Sequence, residues 1–245
     1  MLINMRNGLM SGGGLSAKSY VQDGLVAMWD GIENAGWGVH DANATTWKDL
    51  TGNEYDVNLS SAAKFVDNAM EVTALQTNVA IGTKAMPRND NGYHYEIVCS
   101  YDGTLSNKGI VIFTGGGGDS TIAYSSVVLY AWAQYSRKGF VFGNPATLYR
   151  ANTDYTFTGV HQGSGTHDFS SYDGVVSDAV SFSNTIITRL TRSAVAFGTG
   201  EDATTRMPVG FRVHALRIYQ SRLSEADRLA NYAVDKARFN LPDAT

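Results

Sequence analysis

Short apolar runs alternate with turn residues along most of the chain. Runs such as "GLVAMWDG" (24–31), "YEIVCSY" (95–101) and "FRVHALRIYQ" (211–220) are separated by segments rich in Gly, Asn, Asp and Ser. This spacing of short strands and turns is typical of a β-sandwich or β-barrel. The 26 glycines, 13 tyrosines and low charged fraction of 17% point the same way. The pattern therefore predicts an all-β domain.

One segment near the end of the chain has helical rather than alternating periodicity. In "SEADRLANYAVDKARF" (224–239), Ser224 stands three residues before Asp227, which is close to a capping box. We expect a single C-terminal helix that closes one edge or end of the sandwich. Its predicted apolar stripe consists of the small and aliphatic side chains at helical spacing: Ala226, Leu229, Ala230, Ala233, Val234 and Ala237.

The first 22 residues have little apolar periodicity and contain a glycine triplet at 12–14. We expect residues 1–22 to form a flexible arm that orders against neighbouring subunits of a homo-oligomer or other assembly, and residues 23–245 to form the domain. The arm lacks the apolar core of a signal peptide, which predicts synthesis in the cytoplasm. No apolar run reaches the roughly 18 residues of a membrane span, so we expect no membrane insertion.

Charge and cysteine content exclude some classes of function. The formal net charge is −4, and no run of basic residues is present. Nucleic-acid binding requires concentrated Lys and Arg, so no nucleic-acid partner is expected. The single cysteine, Cys99, lies in an apolar run, where a buried and unreactive thiol is expected.

Several of these segments together resemble a known family. "GLVAMWDG", "WKDLTGNEYDV" (47–57), "VAFGTG" (195–200) and the closing "VGFRVHALRIYQSRLSEADRLANY" (209–232) follow one another in the order seen in the LamG-like domain of the concanavalin A-like lectin/glucanase superfamily. The likeness covers roughly residues 24–240. It implies a two-sheet antiparallel jelly-roll β-sandwich with one C-terminal helix. It does not imply a ligand, because the fold carries binders, hydrolases and structural modules.

The segment "WKDLTGNEYDV" has two interpretations. Gly52 and Asn53 tolerate positive φ, and Asp49 can accept backbone N–H groups, which predicts a strand-to-strand corner pinned by Trp47. Alternatively, oxygen atoms of Asp49, Asn53 and Asp56 form part of a Ca²⁺ site. Calcium takes six to eight oxygen ligands, more than this segment supplies without backbone help. The corner is the preferred interpretation, and no cofactor other than Ca²⁺ is considered.

The acids of a glycan hydrolase are not recognisable. Glucanases of this superfamily carry two glutamates and an aspartate on one strand, and such carboxylates serve as acid and nucleophile. In the candidate strand "YEIVCSYDG" Glu96 stands alone. No metal-ligand spacing or nucleophile elbow was found among the histidines and serines. The sequence therefore predicts that the protein is not an enzyme.

Aromatic residues supply candidate sugar-binding positions, because sugars stack their C–H faces on aromatic rings. In an extended strand Tyr130, Trp132 and Gln134 share one face, which makes them the preferred glycan platform. The same residues are equally compatible with a core strand. Trp37, on the glycine-flanked loop "NAGWGVHD", is expected to be exposed and is a second candidate.

Three functions remain open at this stage. The preferred hypothesis is a non-catalytic recognition or adhesion module that binds a surface glycan in a larger extracellular or virion assembly. The alternative is a purely structural phage virion component, such as a capsid decoration, fibre or tail protein, assembling through residues 1–22. A glycan hydrolase is the third.

Overall fold

The structure, a computed structural model, describes residues 15–76, 78–85, 94–101, 112–114, 127–130, 141–142, 153–161, 166–172, 180–183, 194–198, 207–221 and 223–240. A short 3₁₀ helix, Ala17–Ser19, comes first, and α1 (Glu225–Phe239) comes last. The strands between them are β1 (Leu25–Asp30), β2 (Thr46–Trp47), β3 (Val57–Leu59), β4 (Ala63–Val66), β5 (Ala69–Val72), β6 (Asn78–Ala85), β7 (His94–Tyr101), β8 (Ile112–Thr114), β9 (Val127–Tyr130), β10 (Val141–Phe142), β11 (Thr153–His161), β12 (Thr166–Tyr172), β13 (Val180–Ser183), β14 (Ala194–Gly198) and β15 (Arg212–Tyr219).

The strands form two sheets in which the described pairings are antiparallel. The larger sheet has the order β13-β12-β11-β7-β15-β5-β4, and β1 also pairs with β15. The smaller has the order β10-β9-β8-β14-β6-β3-β2. The last strand, β15, is therefore central: it pairs with β7 along one edge and with β1 and β5 along the other. The predicted mostly-β architecture with one C-terminal helix is confirmed.

One apolar cluster draws side chains from both sheets. Trp47 on β2 lies edge-on to Phe65 of β4, with ring centroids 5.7 Å apart, and 6.0 Å from the ring of Phe197 on β14. Its indole N–H donates to the backbone oxygen of Asp30 at 3.0 Å, so the one polar atom of the ring is satisfied. The cluster thus joins the two sheets around a hydrogen-bonded tryptophan.

The C-terminal helix begins as the sequence predicts but buries a different face. Ser224 is the N-cap and accepts a hydrogen bond from the backbone N–H of Asp227. The predicted stripe is wrong, because five of its six members are exposed and only Val234 is buried. The buried face instead carries Asn231, Tyr232, Val234, Asp235 and Phe239. Alanines gain little from burial, so the larger side chains and the charges opposite them determine the orientation.

A charged layer lies between α1 and the larger sheet. Arg217 of β15, fully buried, donates to both carboxylate oxygens of Asp235 at 2.7 and 2.6 Å and to Glu96 of β7 at 2.9 Å. Asn231 donates to the same Glu96 oxygen at 2.7 Å. Burial raises the pKa of Asp235 to about 6, although the Arg217 charge opposes that shift. The helix is therefore held by hydrogen-bonded ions as well as by apolar contacts.

Part of the predicted arm packs onto the domain. Ala17 and Tyr20 are buried, and the Tyr20 hydroxyl donates to Asp235 at 2.8 Å. The Val21 N–H donates to Asn231 at 2.8 Å. Residues 17–21 thus form part of the helix–sheet interface in this structure, whereas residues 1–14 lie outside the described residues.

Candidate functional site

The Trp37 loop, defined here as residues 31–41, presents a tryptophan at the surface. The Trp37 side chain is 37% exposed and that of Val39 is 51% exposed. The residues on either side of the indole, Gly36 and Gly38, have φ of +132° and +70°. L side chains rarely adopt these angles, so this turn around Trp37 requires glycines. The predicted exposure of Trp37 is present in the structure.

A buried carboxylate, Glu33, anchors this loop. Its Oε2 accepts the backbone N–H of Gly38 at 2.8 Å, and its Oε1 accepts the N–H of Ala17 at 2.8 Å. Arg238 of α1 contributes an ion pair at 3.1 Å. Burial raises the pKa of Glu33, but the two N–H donors and Arg238 outweigh it, so the pKa is lowered overall. Glu33 is therefore ionised at neutral pH, where it binds the Trp37 loop to the N-terminal segment.

Further hydrogen bonds brace the base of the loop. Asn34 and Asp41 exchange two of them: the Asn34 amide donates to the Asp41 carbonyl at 2.7 Å, and the Asp41 N–H donates to the Asn34 side chain at 2.8 Å. His40 Nδ1 lies 3.0 Å from the Gly31 carbonyl oxygen. Because both ends of the loop are tied, the exposed indole has a defined position.

Gly31, where β1 leads into this loop, leaves no room for a side chain. A Cβ there would lie 2.1 Å from the backbone oxygen of Asn68. The neighbouring Asp30 accepts the Ile32 N–H at 2.8 Å and pairs with Arg238 at 2.9 Å. Burial raises the pKa of Asp30, and the Arg238 charge opposes this shift. Arg238 is thus shared between Asp30 and Glu33 beneath the Trp37 loop.

A lysine lies beside the exposed indole. The ammonium nitrogen of Lys18 is 5.1 Å from the centre of the Trp37 ring, within cation–π range. Lys18 is exposed, and the backbone N–H of its neighbour Ala17 donates to Glu33. The arrangement offers a flat apolar surface with one positive charge next to it.

The proposed calcium ligands form the corner instead. Asp49 accepts the N–H groups of Met28, Thr51 and Tyr55 at 3.0–3.1 Å. Asp56 accepts the Asp49 N–H at 2.9 Å and the Lys48 ammonium at 2.6 Å. The Asn53 amide donates to the Val26 carbonyl at 2.9 Å. Within the described ranges, no three His, Cys, Asp or Glu side chains group so that they could hold a metal. These residues do not fit a calcium site, because protein donors already occupy the carboxylates.

The aromatic platform predicted around Trp132 remains untested. Tyr130 is the last residue of β9, in the smaller sheet, while Trp132 and Gln134 lie outside the described residues. Glu96, the lone acid of the glucanase-like strand, is buried and pairs with Arg217. That carboxylate therefore has a structural partner in the charged layer.

Comparisons with known proteins give similarity of fold only. No family model and no curated protein matches the chain. Among solved structures, it is similar to Trypanosoma rangeli sialidase in complex with 2,3-difluorosialic acid (TM-score 0.58, 15% identity), covering 87% of this chain and 33% of the sialidase. It is also similar to domain 4 of AbnA, a GH43 extracellular arabinanase from Geobacillus stearothermophilus, in complex with arabinotriose (TM-score 0.49, 13% identity), covering 86% of this chain and 98% of that one. A third is the Ca²⁺/Man₃GlcNAc-bound VIP36 exoplasmic/lumenal domain (TM-score 0.42, 10% identity), covering 69% of this chain and 85% of that one.

The chain spans about a third of the length of the sialidases it matches. At these identities the similarity to the sialidases is one of fold and assigns the chain to no superfamily or family.

The expectation that the protein is not an enzyme is contradicted. Solved structures with which it shares its fold include sialidases, which are enzymes. The lone Glu96 therefore argues only against the glucanase motif.

No helix in the described part of the chain is long and apolar enough to cross a membrane. None of the solved structures named above is a virion protein, so the virion role has no support from them.

Sequence reasoning missed the residues that organise the site. Glu33 and Lys18 were not singled out, although Glu33 stands shortly before the glycine-flanked Trp37. An acidic residue three positions before "GWG" is the sequence signal that could have indicated a carboxylate anchoring the loop. Lys18 gave no signal, since only the folded N-terminal segment brings it to the indole.

Proposed function

We propose that this domain binds carbohydrate and that the indole of Trp37 is the surface on which a sugar ring stacks. The observation that carries the proposal is an exposed tryptophan on a loop anchored from below by a buried, ionised Glu33. An aromatic ring offers rigid contact area at low entropic cost, and a fixed loop reduces the ordering that binding requires.

The domain belongs, on this proposal, to a larger carbohydrate-active protein or surface assembly. Similarity to about a third of a sialidase supports the fold, and the carbohydrate role is inferred from it by analogy. The jelly-roll connectivity and the LamG-like relationship form part of the proposal. Two antiparallel sheets that share one core, followed by a terminal helix on the larger sheet, support both.

A second surface enters the proposal as an alternative location. Tyr130, Trp132 and Gln134 remain candidate glycan contacts because alternate residues of an extended strand share a face. The two locations make different predictions for single substitutions, so one binding assay separates them.

The test measures binding to a panel of neutral and acidic polysaccharides by affinity electrophoresis, and then to oligosaccharides by calorimetry. Trp37→Ala is expected to reduce affinity at least about 10-fold, the loss typical of removing a central aromatic contact. Leu229→Ala is the matched control, since Leu229 is 41% exposed on α1. Unchanged binding by Trp37→Ala with loss by Trp132→Ala would move the site to the second surface. Absence of binding to every glycan would contradict the proposed function.

A further inference from the structure

The positive charge beside Trp37 has no acidic partner within the described part of the chain. The Lys18 ammonium is exposed, and its recorded contact is the Trp37 ring at 5.1 Å. By contrast, Lys48 pairs with Asp56 at 2.6 Å, and Arg212 pairs with Glu71 at 2.7 Å. Because the Lys18 ammonium contacts only the exposed indole among the described residues, it is available to a ligand that binds on that indole.

Lys18 and Trp37 are positioned by the same buried group. One oxygen of Glu33 holds the N–H of Ala17, the residue before Lys18, and the other holds the N–H of Gly38, the residue after Trp37. The Arg238 guanidinium keeps this carboxylate paired. The fold therefore fixes the distance between the two backbone segments that carry Lys18 and Trp37.

We infer that the Trp37 surface recognises an acidic carbohydrate, in which a sugar ring stacks on the indole and the sugar carboxylate pairs with Lys18. This inference rests on the proposed function. A cation–π contact at an exposed site contributes only about 0.5–1 kcal/mol. The flexible four-carbon stem of lysine lets the ammonium move from the ring to a carboxylate at its edge. The ligand would then gain an ion pair while the ring face becomes free for stacking.

The test compares each acidic ligand with its uncharged methyl ester. The probes are oligouronates of the galacturonate, mannuronate and glucuronate series, each with its methyl ester, titrated into the full chain by calorimetry. The acid of at least one series is expected to bind about 5-fold to 10-fold more tightly than its ester. This gain in affinity lies between the contribution of an exposed ion pair and that of a hydrogen bond to a charged group. The preference should decrease in 0.5 M salt, because an exposed charge pair is screened.

Two variants assign the preference to the lysine. Lys18→Met should bind acid and ester equally, whereas Lys18→Arg should keep the preference. Lys18 is exposed, so neither change threatens the fold. Equal binding of acid and ester by the unmodified protein, or a preference that persists in Lys18→Met, would overturn the inference. If neutral sugars still bound through Trp37, the proposed function would stand. If neither acids, esters nor neutral sugars bound, both the inference about acidic carbohydrate and the proposed carbohydrate-binding function would be wrong.

Discussion

Two tryptophans close together in the chain, Trp37 in its loop and Trp47 at the end of β2, are held by similar hydrogen bonds but lie in opposite environments. Each loop is tied by a carboxylate that accepts backbone N–H groups: Glu33 for the first and Asp49 for the second. Trp47 is fully buried against Phe65 and Phe197, whereas Trp37 is 37% exposed beside Lys18. The comparison indicates that a tryptophan held by a nearby carboxylate can be buried in the core or exposed at the surface. The elements packed around it determine which.

The largest effect is expected at the buried tryptophan. Trp47→Ala should lower the free energy of unfolding by about 3–5 kcal/mol, because it leaves a cavity where the two sheets meet. Trp37→Ala should change it by no more than about 0.5 kcal/mol, as for most exposed positions. Urea denaturation of both variants measures the difference. Similar losses in the two would show that Trp37 supports the fold and is not presented to a ligand.

The next effect concerns the N-terminal segment that carries Lys18. Deleting residues 1–22 should cost more than about 2 kcal/mol of stability, because Tyr20 is buried and its hydroxyl bonds to Asp235. Deleting residues 1–14 keeps these contacts and should leave the denaturation midpoint unchanged. Equal midpoints for the two deletions would contradict the packing of residues 17–21.

The shorter deletion also tests the predicted oligomerisation arm. Sedimentation of the full chain and of the 1–14 deletion compares their masses without disturbing the domain. A drop from multimer to monomer would support assembly through this segment. Equal masses would contradict it.

The two carboxylate anchors provide a smaller and more selective contrast. Asp49→Ala should lower the free energy of unfolding by about 2 kcal/mol, since the N–H groups of Met28, Thr51 and Tyr55 lose their acceptor. Its glycan affinity should stay the same. Glu33→Gln removes the charge beneath the Trp37 loop and should weaken glycan binding. Urea denaturation and calorimetry on both variants measure stability and glycan affinity. If Asp49→Ala alone weakened glycan binding, Asp49 and not Glu33 would support the binding site.

Most of the fold could be predicted from the sequence because its signals are local. Apolar runs bounded by turn residues located β1, β7 and β15, and Ser224 located the start of the helix. Asp49 was recognised as an acceptor within a corner for the same reason. Each of these depends on residues close together in the chain.

The charged layer and the site depend on residues far apart in the chain. Arg217 meets Glu96 and Asp235 only after three elements assemble, and the exposed alanines of α1 suggested the wrong buried face. A weak signal existed: Glu96 and Arg217 are charged residues with apolar neighbours on both sides, which favours a buried ion pair. The exposure of Trp37 was anticipated from its flanking glycines, but its link to Lys18 through Glu33 was not.

The last contrast is a pH dependence of stability to which Asp235 and Glu33 contribute with opposite signs. The folded pKa of Asp235 is about 6 against an ordinary 3.8, so the folded state binds this proton more tightly. Its contribution to stability is therefore present at low pH and is lost as pH rises from about 4 to about 6. Glu33 has the opposite sign: its pKa is lowered, and its contribution is lost as pH falls through the folded value.

The contribution of Asp235 to the free energy of unfolding should consequently decline as pH rises from about 4 to about 6. Asp235→Asn should make this decline shallower, and urea titrations from pH 3 to 8 measure both curves. An unchanged slope in the variant would show that Asp235 does not carry the raised pKa.

The central claim, that Trp37 binds carbohydrate, is tested most directly by following the indole N–H signals in ¹⁵N–¹H NMR during a titration. The tryptophans assigned by substitution are Trp29, Trp37, Trp47 and Trp132. On adding a binding oligosaccharide, the account predicts a shift of the Trp37 signal while those of the buried Trp29 and Trp47 stay in place. A shift at Trp132 with none at Trp37, or no shift with any glycan of the panel, would contradict it.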